Sequence, residues 1–297
     1  MNVKAGQRVI VGIIFPLFFC SPVLSVKLLE RKTVQIEKNC ELFKESGMLK
    51  PKNIIFDMVG VLFLLNTRKI IRMLGLKNLF RHLVFHWETP TKTYFHMLDT
   101  LAKREGDSAD TIQYKKYLLP SCVADVILGK SPANHAGKKI KEMIKGLDEE
   151  GFFRFAADRK MMDLITDLMY DPACIVQYAD PNRPLWKMME EIRAKNHCKI
   201  FLLTNIDSQS LELLQQRYNS IFSLFDGVVA SCSVGLRKPN KEIYCHLLSE
   251  YDLDPNLSVF IDDQKENLLA AKKVGIQGIQ YKSIAQCKKQ LGAFLRK

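Results

Sequence analysis

The chain has 297 residues, of which 47% are hydrophobic and 26% are charged, a balance typical of a folded protein with one large domain or a core with a sizeable insertion. Lysine and arginine number 44 against 32 acidic residues, which gives a formal net charge of +12. The composition excludes a low-complexity protein. The basic residues are scattered, with no basic run interleaved with aromatic residues, so the positive charge does not predict nucleic-acid binding.

The N-terminal residues 1–25 have the three parts of a signal peptide. Lys4 and Arg8 form a basic start, residues 9–26 carry no charge, and small or moderate-sized residues at 23–25 occupy the positions that a signal peptidase reads. One alternative is an uncleaved membrane anchor, because a spanning helix needs about 20 apolar residues. Another is a buried strand or helix of a cytoplasmic protein. We expect export to the periplasm or outside the cell, and membrane contact only if the segment stays uncleaved.

The eight cysteines leave the compartment open. They include no Cys-x-x-Cys pair, and their spacing excludes a cysteine metal cluster. We expect most of them to be small apolar residues of the core. One disulfide bond in an oxidising compartment is the alternative.

Short apolar runs alternate with helical patterns along the remaining chain. The runs predict strands at 53–56, 199–203, 227–230, 258–261 and 278–281. Apolar residues at helical spacing predict helices at 185–194, 208–218, 241–251 and 266–274. This alternation predicts an α/β fold with a doubly wound parallel sheet. Ligands bind such sheets beyond the carboxyl ends of the strands.

A long segment at 66–184 separates the first predicted strand from the others and is too long for a simple crossover. Amphipathic patterns predict helices in it at 68–74, 93–104, 111–118, 137–144 and 161–169. We therefore predict an inserted α-helical cap at 66–184 on a core formed by 26–65 and 185–297. Six residues of the cap are polar or aromatic candidates for substrate contact, but we interpret them as surface or packed residues: His82, His86, Trp87, His96, Lys130 and His135.

Two polar groups follow the first two predicted strands. Asp57 ends the first strand and supplies a carboxylate, while Gly60 permits a tight turn three residues later. Thr204 and Asn205 end the second, where a hydroxyl and backbone amides can bind a phosphate oxygen. Alone, each has an ordinary interpretation as a helix cap or a turn.

Two further polar groups come later in the chain. Lys238 stands before Pro239, which we expect to help start the following helix, and its ammonium can neutralise a phosphate or orient Asp57. The Asp262–Asp263 pair, with Asn267 nearby, offers oxygen ligands to a hard cation such as Mg²⁺. The order of all four groups and their shared strand edge predict one joint site.

The ordered set Asp57, Thr204, Lys238 and Asp262–Asp263 resembles the four motifs of the haloacid dehalogenase superfamily over roughly residues 52–281. The stretch 236–244 is especially similar to one branch of that superfamily. This branch includes glucose-1-phosphatase-type sugar phosphatases and the N-terminal phosphatase domain of soluble epoxide hydrolase. The resemblance implies a phosphatase in which Asp57 is the nucleophile and forms an aspartyl-phosphate.

The resemblance also implies the remaining roles in the site. Mg²⁺ would be the cofactor, bound by Asp57, the backbone carbonyl of Val59 and Asp263. Thr204, the Asn205 amide and Lys238 would hold the phosphoryl oxygens. The residues that support the metal shell or its waters would be Asp262 and Asn267.

Val59 departs from the family pattern, which has a second aspartate at this position as general acid and base. Valine cannot transfer a proton, and general acid–base help is typically worth about 10²–10⁴-fold in rate. Haloacid dehalogenases also lack this aspartate but use no metal, so the retained Asp262–Asp263 pair argues against dehalogenation. The sequence predicts Mg²⁺-dependent hydrolysis of a phosphate monoester of a small metabolite. The alternatives are a weakly catalytic binding protein and a phosphotransferase; oligomeric state is not predicted.

Overall fold

The computed structural model describes residues 52–106, 111–114, 116–194 and 198–296. The predicted signal segment at 1–25 lies outside these residues. The strands are β1 (Lys52–Phe56), β2 (Phe63–Leu65), β3 (Ile112–Tyr114), β4 (Tyr117–Leu119), β5 (Ala179–Pro181), β6 (Cys198–Thr204), β7 (Gly227–Ala230), β8 (Ser258–Asp262) and β9 (Gln277–Gln280).

The helices divide into those of the segment between β2 and β5 and those that follow it. The first group is α1 (Thr67–Leu74), α2 (Leu76–His86), α3 (Pro90–Glu105), α4 (Ser121–Ile127), α5 (Ala133–Glu149), α6 (Ala156–Tyr170) and α7 (Pro172–Tyr178). The second group is α8 (Arg183–Ala194), α9 (Ser208–Arg217), α10 (Asn219–Phe222), α11 (Ser231–Val234), α12 (Lys241–Glu250), α13 (Lys265–Lys273) and α14 (Ile284–Leu295), with a 3₁₀ turn at Pro255–Leu257.

A five-stranded parallel sheet, in the order β7-β6-β1-β8-β9, forms the centre of the fold. In its register, Ile54 of β1 lies between Ile200 of β6 and Val259 of β8. All five strands predicted from the sequence are present, each within one residue of its predicted ends. The predicted α/β class with a parallel sheet is therefore confirmed.

The two faces of the sheet carry separate hydrophobic clusters, because successive side chains of a strand point to opposite sides. Ile54 and Phe56 pack on one face, where α8 and α14 cover the sheet, and Ile55 packs on the other, under α12 and α13. A sheet buried on both faces explains why its strands have continuous apolar sequences.

The segment between β2 and β5 has a hydrophobic cluster of its own, formed mainly by α3, α5 and α6. A two-stranded antiparallel ribbon of β2 and β5 joins this segment to the sheet. Four of the five helices predicted in the segment are present, and α2, α4 and α7 were not predicted. The division into core and cap at 66–184 stays a prediction.

The helix predicted at 111–118 is wrong. Residues Ile112–Tyr114 and Tyr117–Leu119 pair instead as an antiparallel hairpin. In each strand the first and third side chains are buried and the middle one is more exposed, which is the period of two expected for strands. The run is too short and too rich in aromatic and β-branched residues for its helical spacing to decide the structure.

The described residues bear on two expectations from the sequence, a membrane-spanning helix and the state of the cysteines. No helix among them combines the length and apolar character needed to cross a membrane. The six cysteines in these ranges are all free thiols; Cys122, Cys174 and Cys287 are buried, as expected for small apolar core residues.

Candidate active site

Asp57 lies directly beyond β1, at the carboxyl end of the central strand. Its backbone N–H still donates to the carbonyl of Ile261 in β8 at 2.9 Å, so the residue extends the sheet. Its side chain is buried, and its Oδ1 accepts a hydrogen bond from Lys238 Nζ at 2.6 Å. The carboxylate is thus held at the strand edge by a buried ammonium group.

The turn after Asp57 is closed by backbone hydrogen bonds. The carbonyl of Met58 accepts from the N–H groups of Leu62 and Phe63 at 2.8 and 2.9 Å, and Gly60 N–H donates to Phe63 O at 2.8 Å. Gly60 has a φ of +95°, a conformation that side chains disfavour. A Cβ atom there would lie 2.7–2.9 Å from the carboxylate of Asp263, so glycine allows this aspartate to approach the turn.

Lys238 connects the two ends of the site, although it lies 181 residues after Asp57. Its Nζ donates to Asp57 and, at 2.9 Å, to Asp262 Oδ2, and only 1% of the residue is exposed. Asn205 fixes its backbone: the side-chain amide donates to Lys238 O at 3.0 Å and accepts from Lys238 N–H at 2.9 Å. The ammonium is therefore positioned through both its side chain and its main chain.

The sequence led us to expect that Pro239 helps to start the following helix, but Pro239 lies before that helix. The Lys238–Pro239 peptide is cis, and α12 begins two residues later at Lys241 with Asn240 as its N-cap. Pro239 thus belongs to the loop that carries Lys238 and lies before the helix.

Asp262 has donors on both carboxylate oxygens. Its Oδ1 accepts from the backbone N–H of Gln264 at 2.7 Å, while Oδ2 accepts from Lys238 and from Asn267 Nδ2 at 2.8 Å. Tyr244 O–H in turn donates to the carbonyl of Asn267 at 3.0 Å. This saturation makes Asp262 a group that positions its neighbours; the supporting role expected for it at the metal stays a prediction.

Asp263, unlike Asp262, has a carboxylate oxygen that accepts no hydrogen bond from the described residues. Its Oδ1 is buried without a hydrogen-bond partner among the described residues, and Asn267 Oδ1 is in the same condition. One carboxylate oxygen from each of Asp57, Asp262 and Asp263 lies within 4.8 Å of the others. A buried acceptor without a donor is costly unless a cation or water meets it. The cluster therefore fits a hard divalent cation, which prefers oxygen ligands.

The electrostatics of the cluster agree with this interpretation. Burial raises the pKa of Asp57 to about 7, against the attraction of Lys238. Burial and the neighbouring carboxylates raise the pKa of Asp263 well above its ordinary value. For Lys238, burial opposes the charged form, but Asp262 and Asp57 outweigh it and raise the pKa. A bound divalent cation would favour the ionised form of both carboxyl groups.

The other expected residues lie at the same edge. Thr204 ends β6 in a buried position, and Asn205 follows it. Val59 lies in the turn after Asp57 and lines a cleft between the sheet edge and α6 and α7. A valine side chain cannot transfer a proton. The structure brings all eight residues expected in the site to one end of the sheet.

Similarity to known proteins identifies the family of this chain. A family profile described as haloacid dehalogenase-like hydrolase matches residues 51–275, which is most of the chain. This protein belongs to the haloacid dehalogenase-like hydrolases. The fold of this hydrolase is also similar to that of a haloacid dehalogenase family enzyme from Bacteroides thetaiotaomicron, with a TM-score of 0.50 at 18% identity over 79% of this chain and 95% of that one.

Two relatives of this hydrolase resemble it over part of their length. A sesquiterpene phosphatase from Aspergillus oryzae is 32% identical over 108 residues, 36% of this chain and 54% of the relative. Bifunctional epoxide hydrolase 2 from Rattus norvegicus is 30% identical over 112 residues, 37% of this chain and 20% of the relative. The match thus spans about half of the phosphatase and a fifth of the epoxide hydrolase.

Several positioning residues of this hydrolase were not identified from the sequence. Asn182 Nδ2 donates to Val61 O at 2.7 Å and to Tyr281 Oη at 2.7 Å, and Trp186 Nε1 donates to Leu62 O at 2.9 Å. These bonds hold the end of the turn that begins at Asp57. Asn182 and Trp186 lie more than 120 residues from that turn, and their sequence context carries no signal beyond an ordinary helix start.

Proposed function

We propose that this hydrolase cleaves phosphate monoesters of small molecules, with Asp57 as the nucleophile and Mg²⁺ as the cofactor. One observation carries the proposal. Lys238 Nζ holds a buried Asp57 carboxylate at 2.6 Å, and the unpartnered Oδ1 of Asp263 lies in the same cluster. That arrangement brings together a nucleophile, a fixed positive charge and a carboxylate oxygen that can bind a metal ion.

In the first step, an oxygen of Asp57 attacks phosphorus and forms an aspartyl-phosphate while the bond to the leaving oxygen breaks. Lys238 orients the carboxylate and neutralises charge on the phosphoryl group, with the hydroxyl of Thr204 and the amide of Asn205 holding its oxygens. A bound Mg²⁺ would supply further charge neutralisation, with Asp57, Asp263 and the Val59 carbonyl as its protein ligands. The leaving oxygen takes its proton from water, because Val59 has none to give.

In the second step, water attacks the phosphorus of the aspartyl-phosphate, and the bond to Asp57 breaks. Inorganic phosphate leaves and the Asp57 carboxylate is regenerated. No side chain at position 59 removes the proton of the attacking water, so both steps lack general acid–base help of about 10²–10⁴-fold. We therefore propose a working but slow phosphatase.

The cleft beside Val59 bears on the choice of substrate. Apolar side chains from α6, α7 and the β6–α9 loop line much of it, including Leu168, Ile175 and Ile206. Asp171, Asp207 and Ser210 also line the cleft, so its lining alone does not select an apolar substrate over a sugar phosphate. The similarity to a sesquiterpene phosphatase supports the inclusion of an isoprenyl monophosphate among the substrates to be tested.

Phosphate release with Mg²⁺ tests the proposal directly. We expect the wild-type protein to release phosphate from at least one of p-nitrophenyl phosphate, a sugar phosphate and farnesyl monophosphate. Asp57→Asn keeps the size of the side chain but removes the nucleophile, and it should reduce release to the buffer rate. Equal phosphate release by wild type and Asp57→Asn on every substrate would refute hydrolysis through Asp57.

A second variant measures how much catalytic rate is lost because residue 59 is valine. Val59→Asp introduces the missing proton-transfer group, and we expect kcat to rise by at least about tenfold on a substrate that the wild type cleaves. Val59→Asn is the matched control, since it has similar size and polarity but cannot act as a base. Equal rates for the two variants would show that proton transfer does not limit turnover.

A further inference from the structure

A second group of potential metal ligands lies in the segment between β2 and β5. His82 and His86 are one turn apart on α2, and their rings stack with centroids 4.4 Å apart and planes 28° from parallel. Asp158, in the first turn of α6, faces both of them. The group contains none of the residues of the active site described above.

The distances bring three donor atoms together. His82 Nδ1 lies 3.2 Å from Asp158 Oδ1, and His86 Nε2 lies 3.0 Å from Asp158 Oδ2. One donor atom from each of the three residues lies within 4.8 Å of the others. The exposed fraction is 0% for His82 and 1% for Asp158, so two of the three side chains are shielded from water.

The hydrogen-bonding pattern around His82 determines which ring nitrogen carries the proton. Thr93 Oγ1 donates its single hydrogen to Glu88 Oε1 at 2.9 Å, because a carboxylate can only accept. The same hydroxyl oxygen lies 2.9 Å from His82 Nε2, so a proton on Nε2 satisfies both contacts. In the neutral ring, Nδ1 then presents a lone pair towards Asp158.

A lone pair and a carboxylate oxygen at 3.2 Å repel each other unless something positive lies between them. A second proton on His82 is one answer, but it places a full cation on a ring with no exposure to water. A metal ion bound by both residues is the other answer, and it leaves the ring neutral.

We propose that His82, His86 and Asp158 bind a divalent transition metal of the zinc class. Two imidazole nitrogens and one carboxylate oxygen are a ligand set that such ions accept, whereas Mg²⁺ prefers oxygen ligands alone. Two histidines four residues apart on one helical face are a recurrent arrangement for Zn²⁺. The bond from His82 to Thr93, continued to Glu88, is the outer support that metal-binding histidines usually have.

The position of the site gives it a structural role. α2 leaves Leu76 and Phe80 largely exposed, as is Trp87 directly after it, so apolar packing holds only part of this helix. Ligands from α2 and α6 on one ion join the two helices at their buried side. Metal binding therefore adds to the stability of the segment between β2 and β5.

Metal titration of the full chain tests this site separately from the active site. The protein is stripped with chelator and titrated with Zn²⁺ in millimolar Mg²⁺, and with Co²⁺ followed by visible absorption. We expect one Zn²⁺ per chain, a Co²⁺ band of the kind given by nitrogen-containing sites of low coordination number, and a higher thermal midpoint with Zn²⁺. Thr93→Val should weaken Zn²⁺ binding about 10–100-fold.

His86→Gln and Asp158→Asn should abolish the Co²⁺ band and the Zn²⁺-induced rise in midpoint. His135→Gln, which changes an exposed histidine of α5, and Asp263→Asn, which changes the active-site cluster, should leave both unchanged. Circular dichroism checks that each variant is folded; if His86→Gln fails to fold, the Zn²⁺ affinity of Thr93→Val decides. Stoichiometric binding that is the same in wild type and His86→Gln, an unaltered affinity in Thr93→Val, or no binding at all would overturn the proposal.

Discussion

Gly60 illustrates how one residue without a side chain shapes the site. Its φ of +95° and the 2.7–2.9 Å between a built Cβ and the Asp263 carboxylate mean that alanine there both strains the turn and displaces the aspartate. Gly151 has a φ of +78°, but no described atom within 4 Å of a built Cβ. Alanine substitutions at these two glycines therefore distinguish backbone strain from displacement of the Asp263 carboxylate.

We expect Gly60→Ala and Gly151→Ala each to lower the free energy of unfolding by about 1–2 kcal/mol, because both place a side chain at positive φ. Only Gly60→Ala should also weaken Mg²⁺ binding, since only there does the added methyl group push Asp263 away. Urea unfolding and Mg²⁺ calorimetry measure the two effects. Equal Mg²⁺ affinity in both variants would contradict the position given to Asp263.

The buried thiols allow a test of pH dependence at single residues. Burial raises the pKa of Cys122, Cys174 and Cys287 to about 11. Because only the thiolate reacts, and about one thiol in a thousand is ionised three pH units below its pKa, iodoacetamide at pH 8 should label these residues slowly in the folded protein. Labelling should increase as the pH approaches 11 and become fast in guanidinium at pH 8. Peptide mass spectrometry reads each site, and rapid labelling of Cys287 in native protein would be inconsistent with its burial.

At the scale of elements, Gly129 marks a close contact between the two parts of the fold. It follows α4, has a φ of +72°, and a Cβ built on it would lie 2.0 Å from the backbone carbonyl oxygen of Cys232 in α11. A backbone group cannot move aside as a flexible side chain can. The segment between β2 and β5 thus packs closely against α11 at Gly129.

We expect Gly129→Ala to separate these two surfaces, and so to lower the thermal midpoint and speed limited proteolysis between β2 and β5. Gly151→Ala again supplies the control for positive φ, and it should change proteolysis little. If the two variants were cleaved at the same rate, the contact between α4 and α11 would not be holding the segment in place.

The elements also show where sequence patterns succeed. All five strands of the sheet were predicted, because a parallel strand buried on both faces is apolar along its whole length. The hairpin of β3 and β4 was not, since eight residues with two tyrosines and one isoleucine fit a helical and an alternating pattern almost equally. α2 was not predicted, although Leu76, Phe80 and Leu83 recur in it at the helical spacing i, i+4 and i+7.

At the scale of the whole molecule, the carboxylates of Asp57, Asp262 and Asp263 meet at the end of the sheet with only Lys238 as a direct ion-pair partner among the described residues. We expect Mg²⁺ to stabilise the fold, since an ion that binds only the native state contributes about 2.7 kcal/mol at a concentration 100 times its Kd. Millimolar Mg²⁺ added to the metal-stripped protein should raise the thermal midpoint of wild type and leave the midpoint of Asp263→Asn unchanged. An equal shift in both proteins would mean that the ion binds elsewhere.

The sequence by itself determined the parallel sheet, the order of its strands along the chain and the polar residues that end them, because these depend on local patterns and on the shared direction of parallel strands. Tertiary structure alone decided what those residues touch. Asn205 reaches Lys238 over 33 residues, and His82 reaches Asp158 over 76. Such pairs depend on how helices and loops pack, and side chains far apart in sequence leave no periodic signal that predicts their contact.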